Sequence, residues 1–264
     1  MTVWSPGDPD MPEEVRELLE RLSRPKSDKP LPALKVPPPL PVGSAKLYTM
    51  KITLLDVEPP VWRRFVAPSF MKLHHFHGVL QAVMGWEDGH MYAFTVDGKR
   101  FTPNRRLGVD AMWNKGDGYP PEKYELCQLI KPGMTFHYEY DFGDGWEHEI
   151  VVENDTASKD TKHPFYCIEG ERACPPDDCG GPRGYKNLLD ILSDPDNPEY
   201  EERLDWIGGR FDSECFDPDD CNRSLQVRRP ASMIGSNVDR KVLDKKKKQE
   251  RKRKDAAKKR NRKK

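Results

Sequence analysis

No run of apolar residues in this 264-residue chain approaches the ~20 needed to cross a bilayer as a helix. Hydrophobic residues make up 36% and charged residues 33%, so membrane insertion is not expected and a core must be concentrated in part of the chain. The amino terminus lacks a charged segment leading into an apolar one, so no secretory leader is expected. A cytoplasmic protein, or a nuclear one in a eukaryote, is the default. Six cysteines are present without a Cys-x-x-Cys pair, which argues against a redox dithiol and, in that compartment, against a disulfide framework. No glycine-rich phosphate loop, strand lysine or catalytic-loop pattern precedes Asp141-Phe142-Gly143, so that tripeptide is not a kinase metal-binding signature.

The chain also lacks net charge, yet its charges are segregated. Residues 239–264 hold 16 Lys plus Arg against 4 Asp plus Glu, a net of +12, which leaves residues 1–238 at −12. The cationic tail runs through Lys245, Lys246, Lys247, Lys248, Arg251, Lys252, Arg253, Lys254, Lys258, Lys259 and Arg260. Such a run binds polyanions by releasing their counterions, so nucleic acid is the expected partner. It contains no aromatics, and specific single-strand recognition by base stacking is therefore not supported. An acidic protein, the acidic body of the same chain and plain solvation are the other uses of this charge.

Composition divides the chain into an amino-terminal extension (1–45), a domain (46–228) and the basic tail (229–264), disordered or helical. In the extension, Asp10, Pro12, Glu13 and Glu14 open a short helix with Val15, Leu18, Leu19 and Leu22 at helical spacing. That helix offers a surface for a protein partner. Val36-Pro37-Pro38-Pro39-Leu40-Pro41 reads as a stiff spacer.

In the domain, Tyr48, Met50, Ile52 and Leu54 alternate as in a strand, and residues 61–66 supply a second. Leu73, Phe76, Leu80, Val83 and Met84 form a helical stripe stopped by Gly85. A strand over 90–96 turns at Asp97-Gly98. Residues 134–153 form a hairpin whose inner face carries Tyr138, Tyr140, Phe142, Trp146, His148, Ile150 and Val152. A short strand over 165–168 precedes helices at 185–192, 199–207 and 218–226. The expected fold is α+β: a mainly antiparallel sheet packed by helices, one compact domain with flexible extensions at both ends.

Three groups of residues invite chemistry. His90, Asp141, Asp144 and His148 would make a metal-dependent or carboxylate-supported site if they converge in one pocket, with core packing and turn formation as the structural alternative. Cys167, Cys174 and Cys179 raise zinc, although structural zinc usually begins from tighter cysteine knuckles; no other cofactor is called for. Asp177 and Asp178 offer too few oxygens within their own loop for a hard cation. His74, His75 and His77 at a helix start are read as capping and surface residues.

Residues 138–150, the run Pro175-Pro176-Asp177-Asp178-Cys179-Gly180-Gly181 and the pair Gly184-Tyr185 resemble the plasmid pRiA4b ORF-3-like family. The stretch from Leu73 through Gly85-Trp86 to Phe94, and that from Trp206-Ile207-Gly208-Gly209 to Asn222-Arg223-Ser224-Leu225, are similar to it too. The resemblance implies a compact α+β domain, an association with mobile elements and no established activity. Some members carry a resolvase-like name, but these residues hold no recombinase constellation. The sequence thus favours a binding or accessory module over an enzyme, the alternative being a small metal-dependent enzyme around His90, Asp141, Asp144 and His148.

Overall fold

A computed structural model describes residues 33–40, 46–103, 118–157 and 165–227. The expected helix over 13–22 and the whole basic tail, with Lys245 to Arg260, lie outside them.

Among the described residues seven strands form one sheet: β1 (Lys46–Leu54), β2 (Trp62–Pro68), β3 (Tyr92–Val96), β4 (Lys99–Phe101), β5 (Thr135–Tyr140), β6 (Trp146–Ala157) and β7 (Tyr166–Glu171). Their spatial order is β4-β3-β5-β6-β1-β2-β7, and every pairing is antiparallel. Period-2 alternation sets which residues enter the core. Tyr48, Met50, Ile52 and Leu54 of β1 are buried while their neighbours are not, and the β5–β6 register pairs Tyr138 with His148 and Tyr140 with Trp146 on the same inner face. The expected α+β fold with an antiparallel sheet is the observed one.

Helix α1 (Leu73–Met84) covers the inner face of the sheet. Its Phe76, fully buried, lies 6.0 Å from Phe65, 5.8 Å from Phe94 and 6.3 Å from Phe136 between ring centroids. Burying one such side chain contributes about 2–3 kcal/mol. Gly85 ends the helix at φ 110°, its N–H returning to the carbonyl of Gln81. The short α2 (Leu126–Leu129) follows, then α3 (Gly181–Leu192), α4 (Tyr200–Trp206) and α5 (Pro218–Val227).

Helix α5 packs against α1 and against β7, the last strand of the sheet. Its Asn222 amide accepts from the N–H of Cys167 at 2.8 Å and donates to that residue's carbonyl at 3.0 Å. A side chain thus does what another strand would do, and the sheet edge is covered. Among the described residues Arg63 is the most deeply buried cation. Its guanidinium donates to the carbonyls of Val83, Trp62, Glu171 and Arg172 at 2.7–3.1 Å and lies 3.9 Å from the Phe216 ring.

Several local expectations differ from the fold. Helix α3 begins at Gly181, four residues before Tyr185, because Gly180 takes a left-handed turn and Pro182 is set for a first helical turn. Strand β3 begins at Tyr92, leaving His90 in the preceding loop. Phe142 sits in the turn under Arg100, 5.0 Å away, rather than on the inner face. The proline-rich segment lies along the domain: Leu34 and Val36 pack against the core, and Gln128 donates to the Pro37 carbonyl at 2.8 Å.

Candidate functional site

The β5–β6 turn and the acidic diglycine loop before α3 are built against each other. At the end of β5, Asp141 takes φ 52°, accepts the Gly143 N–H on Oδ1 at 2.9 Å and donates its own N–H to the Met91 carbonyl at 2.8 Å. Asp144 accepts the Gly180 N–H at 3.1 Å. Gly181 meets the turn so closely that a Cβ there would fall 2.3 Å from the Asp144 carbonyl oxygen. Trp86 donates to the Pro175 carbonyl at 3.0 Å and stacks near Tyr140, 4.8 Å between centroids. The loop 174–180 is therefore laid over both the hairpin tip and the loop after α1.

This junction brings three donors together. His90 Nδ1 lies 3.5 Å from Asp141 Oδ2, and His90 Nε2 lies 3.4 Å from Asp178 Oδ1. One ligand atom from each residue lies within 4.8 Å of the other two. Asp141 is buried, His90 half-buried, and Asp178 is open to solvent. Asp88, Asp141 and Asp178 all adopt positive φ. Left-handed backbone in non-glycine residues costs of order 1–3 kcal/mol and clusters where geometry serves a site. Beside them, burial raises both the Tyr140 phenol and the Asp177 carboxyl; the Asp177 charge raises Tyr140 further, while the hydrogen bond from Tyr140 pulls Asp177 back down. Tyr140 is fully buried and faces Asp177.

The loop carrying His90 is anchored by a closed ring of hydrogen bonds. Gln81 Nε2 donates to the Tyr138 hydroxyl at 3.0 Å, which lies 2.7 Å from His77 Nδ1. His77 Nε2 lies 2.6 Å from Asp88 Oδ1, and the Asp88 N–H donates to Gln81 Oε1 at 2.9 Å. Since Gln81 donates to the hydroxyl, its proton goes to His77 Nδ1 and leaves Nε2–H for Asp88. The imidazole lies flat on Tyr92, 3.6 Å between centroids and 10° between planes.

Of the residues singled out in the sequence, His90 and Asp141 meet. Asp144 does not join them; it binds the Gly180 amide. His148 is fully buried on the inner sheet face, 3.2 Å from the Tyr138 carbonyl and edge-on to Trp86, and burial lowers it to about 4. The pleat that points it inward carries it away from the turn. Cys167, Cys174 and Cys179 do not form a ligand group among the described residues, since the one such cluster is His90, Asp141 and Asp178. Cys167 binds the Cys221 thiol, which lowers it, while burial raises Cys174 and pushes Cys179 up to about 12. The surface role expected of His77 is overturned: it is buried at the centre of the ring described above. Asp178, His77, Gln81 and Asp88 are the site residues that sequence reasoning missed, and only the acidic pair at 177–178 gave any local signal.

The family model for plasmid pRiA4b ORF-3-like protein matches residues 46–220, a span that contains the whole cluster. The chain belongs to the pRiA4b ORF-3-like family. The uncharacterized protein y4hQ of Sinorhizobium fredii (strain NBRC 101917 / NGR234) is 36% identical over 188 residues, 69% of this chain and 91% of that protein. The crystal structure of MM3350, a protein of unknown function from Methanosarcina mazei Go1, is similar with a TM-score of 0.57 and 31% identity. It covers 67% of this chain and 97% of its own. Neither relative carries an activity to this pRiA4b ORF-3-like domain. Among its described residues no helix is long and apolar enough to cross a membrane.

Proposed function

We propose that this pRiA4b ORF-3-like domain is a divalent-cation-dependent binding module, with His90, Asp141 and Asp178 as its protein ligands. The observation that supports it is the convergence of these donors, within 4.8 Å of one another, from three separate loops. One imidazole and two carboxylates suit a borderline to hard cation such as Mn²⁺ or Zn²⁺. The exposed side of Asp178 leaves coordination positions for water or a ligand. The fully buried Tyr140 ring lies edge-on to His90, 5.8 Å between centroids, and backs the cluster on its inner side. Calorimetric titration of the full chain with Mn²⁺ should show one site, weakened at least tenfold by Asp141→Asn and by Asp178→Asn. Failure of the folded wild type to bind either Mn²⁺ or Zn²⁺ at millimolar concentration would reject the reading. Metal-dependent turnover of a phosphate ester by the same preparation would make the module an enzyme.

The second reading concerns the tail. A body at −12 carrying a tail at +12 supports sequence-independent contact with nucleic acid, as an accessory protein of a mobile element would need. Binding of duplex DNA should fall steeply with salt and vanish when residues 239–264 are deleted. Retained binding by the truncated chain would count against this reading.

A further inference from the structure

We infer that the cavity beside the cation site receives a nucleoside monophosphate unit, its ring on Trp206 and its phosphate shared between Arg203 and the cation held by Asp178. This rests on the cation reading above and names the ligand of that same site.

A cavity of about 150 Å³ opens next to Asp178, with Asn187 and Leu188 of α3 on one wall and Arg203 and Trp206 of α4 on the other. A water's share of liquid volume is about 30 Å³, so the cavity admits one ring or one phosphate group, with the remainder of a ligand in the open mouth. Trp206 is 45% exposed, although large apolar side chains are mostly inside this domain. An exposed indole on the wall of a polar cavity is a platform for a flat ring. Arg203 lines the cavity with its side chain 37% exposed and donates to Glu199 through Nη2 at 2.9 Å. A part-exposed guanidinium at the wall suits a phosphate or carboxylate. Asn187 supplies a further donor and acceptor. One small molecule that carries both a ring and an anion would use Trp206, Arg203 and Asn187 together.

Asp178 belongs to both the cavity and the cation cluster, and that sharing dictates the order of events. Bare, its carboxylate repels an anion. Carrying a divalent cation, the same wall attracts one, and a phosphate has oxygens enough for both the metal and Arg203. Phosphate binding must then require the cation, and the nucleotide must tighten the cation in return. Phosphate is favoured over carboxylate because its three terminal oxygens can serve the metal, Arg203 and Asn187 at once.

The test titrates the full chain with AMP, with and without Mn²⁺, beside adenosine and inorganic phosphate. AMP should bind only in the presence of Mn²⁺ and more tightly than either fragment. Trp206→Ala and Arg203→Gln should each weaken AMP at least tenfold and leave Mn²⁺ affinity unchanged. Mn²⁺ binding without AMP binding would overturn this inference alone; absence of Mn²⁺ binding would overturn the cation reading and this one together. Equal AMP affinity in Trp206→Ala, or phosphate binding as well as AMP, would reduce the site to a simple anion site and overturn it. Displacement of AMP by a 5′-phosphorylated oligonucleotide, lost in Trp206→Ala, would identify a strand end as the source. No displacement would identify the free nucleotide.

Discussion

His77 Nε2 lies 2.6 Å from Asp88 Oδ1, and this contact fastens the interior of helix α1 to the loop that presents His90. The ring it closes with Gln81 and Tyr138 satisfies polar groups that would otherwise be buried without partners. Removing His77 strips the Tyr138 hydroxyl of its acceptor and leaves a cavity under Tyr92. His77→Ala should lower stability by about 3 kcal/mol, read by urea unfolding. Asp88→Asn keeps an acceptor for the Nε2–H, and a loss of about 1 kcal/mol is expected. Equal losses in the two variants would contradict the proton assignment.

The diglycine loop is held by close backbone approach. A Cβ at Gly184 would fall 1.9 Å from the Cys179 carbonyl oxygen, and one at Gly181 would fall 2.3 Å from that of Asp144. Neither neighbour can swing aside, because both are main-chain atoms. Ala at either position should destabilise by about 3–4 kcal/mol. Gly133 also has positive φ, yet open space lies where its Cβ would be, so Gly133→Ala should lose only about 1 kcal/mol. Thermal denaturation of the three variants measures the contrast.

Acid should unfold the protein partly through His148. Its folded value is near 4 against an ordinary 6.5, because burial opposes the charge. The unfolded chain therefore binds this proton first. The stability gained from a neutral His148 is complete above pH 6.5 and is lost as pH falls toward 4, a total on the order of 3 kcal/mol. Burial lowers His74 and His75 as well, the latter to about 4, with a smaller effect because both rings are partly in solvent. His148→Gln should flatten the stability profile between pH 6.5 and 5, above the range where ordinary carboxylates titrate. An unchanged slope in chemical denaturation over that interval would exclude His148 as the cause.

Arg63 serves four carbonyls and no carboxylate, and burial lowers its affinity for the proton. Its planar fork reaches groups on β2, β7 and the end of α1 at once. A lysine has the charge but not the fork. Arg63→Lys and Arg63→Met should both lose about 3–5 kcal/mol. A lysine variant as stable as wild type would show that charge, rather than the spread of donors, is what the site uses.

Much of the fold was legible because its determinants are local. Alternation in β1 and in the β5–β6 hairpin, the apolar stripe of α1 and the stop at Gly85 each reveal an element within a dozen residues. The inward face of the hairpin followed from the pleat alone, His148 included. Phe142 departed from it because the strand ends at Tyr140 and Asp141, at φ 52°, already turns the chain before Phe142. His77 was misread since three nearby histidines suggest a polar face, whereas the ring that buries its imidazole draws on Tyr138, which is 61 residues away.

The candidate site lies beyond such reasoning. Counted within its own loop, Asp178 lacks the oxygens to hold a cation. The missing donors, His90 and Asp141, come from elsewhere in the chain and arrive only when β3, β5 and the diglycine loop are packed together. Local sequence determined the strands, the helices and the chemistry available at each position. Which side chains meet was decided by the tertiary structure, because strand order and loop docking bring together residues that no periodicity relates.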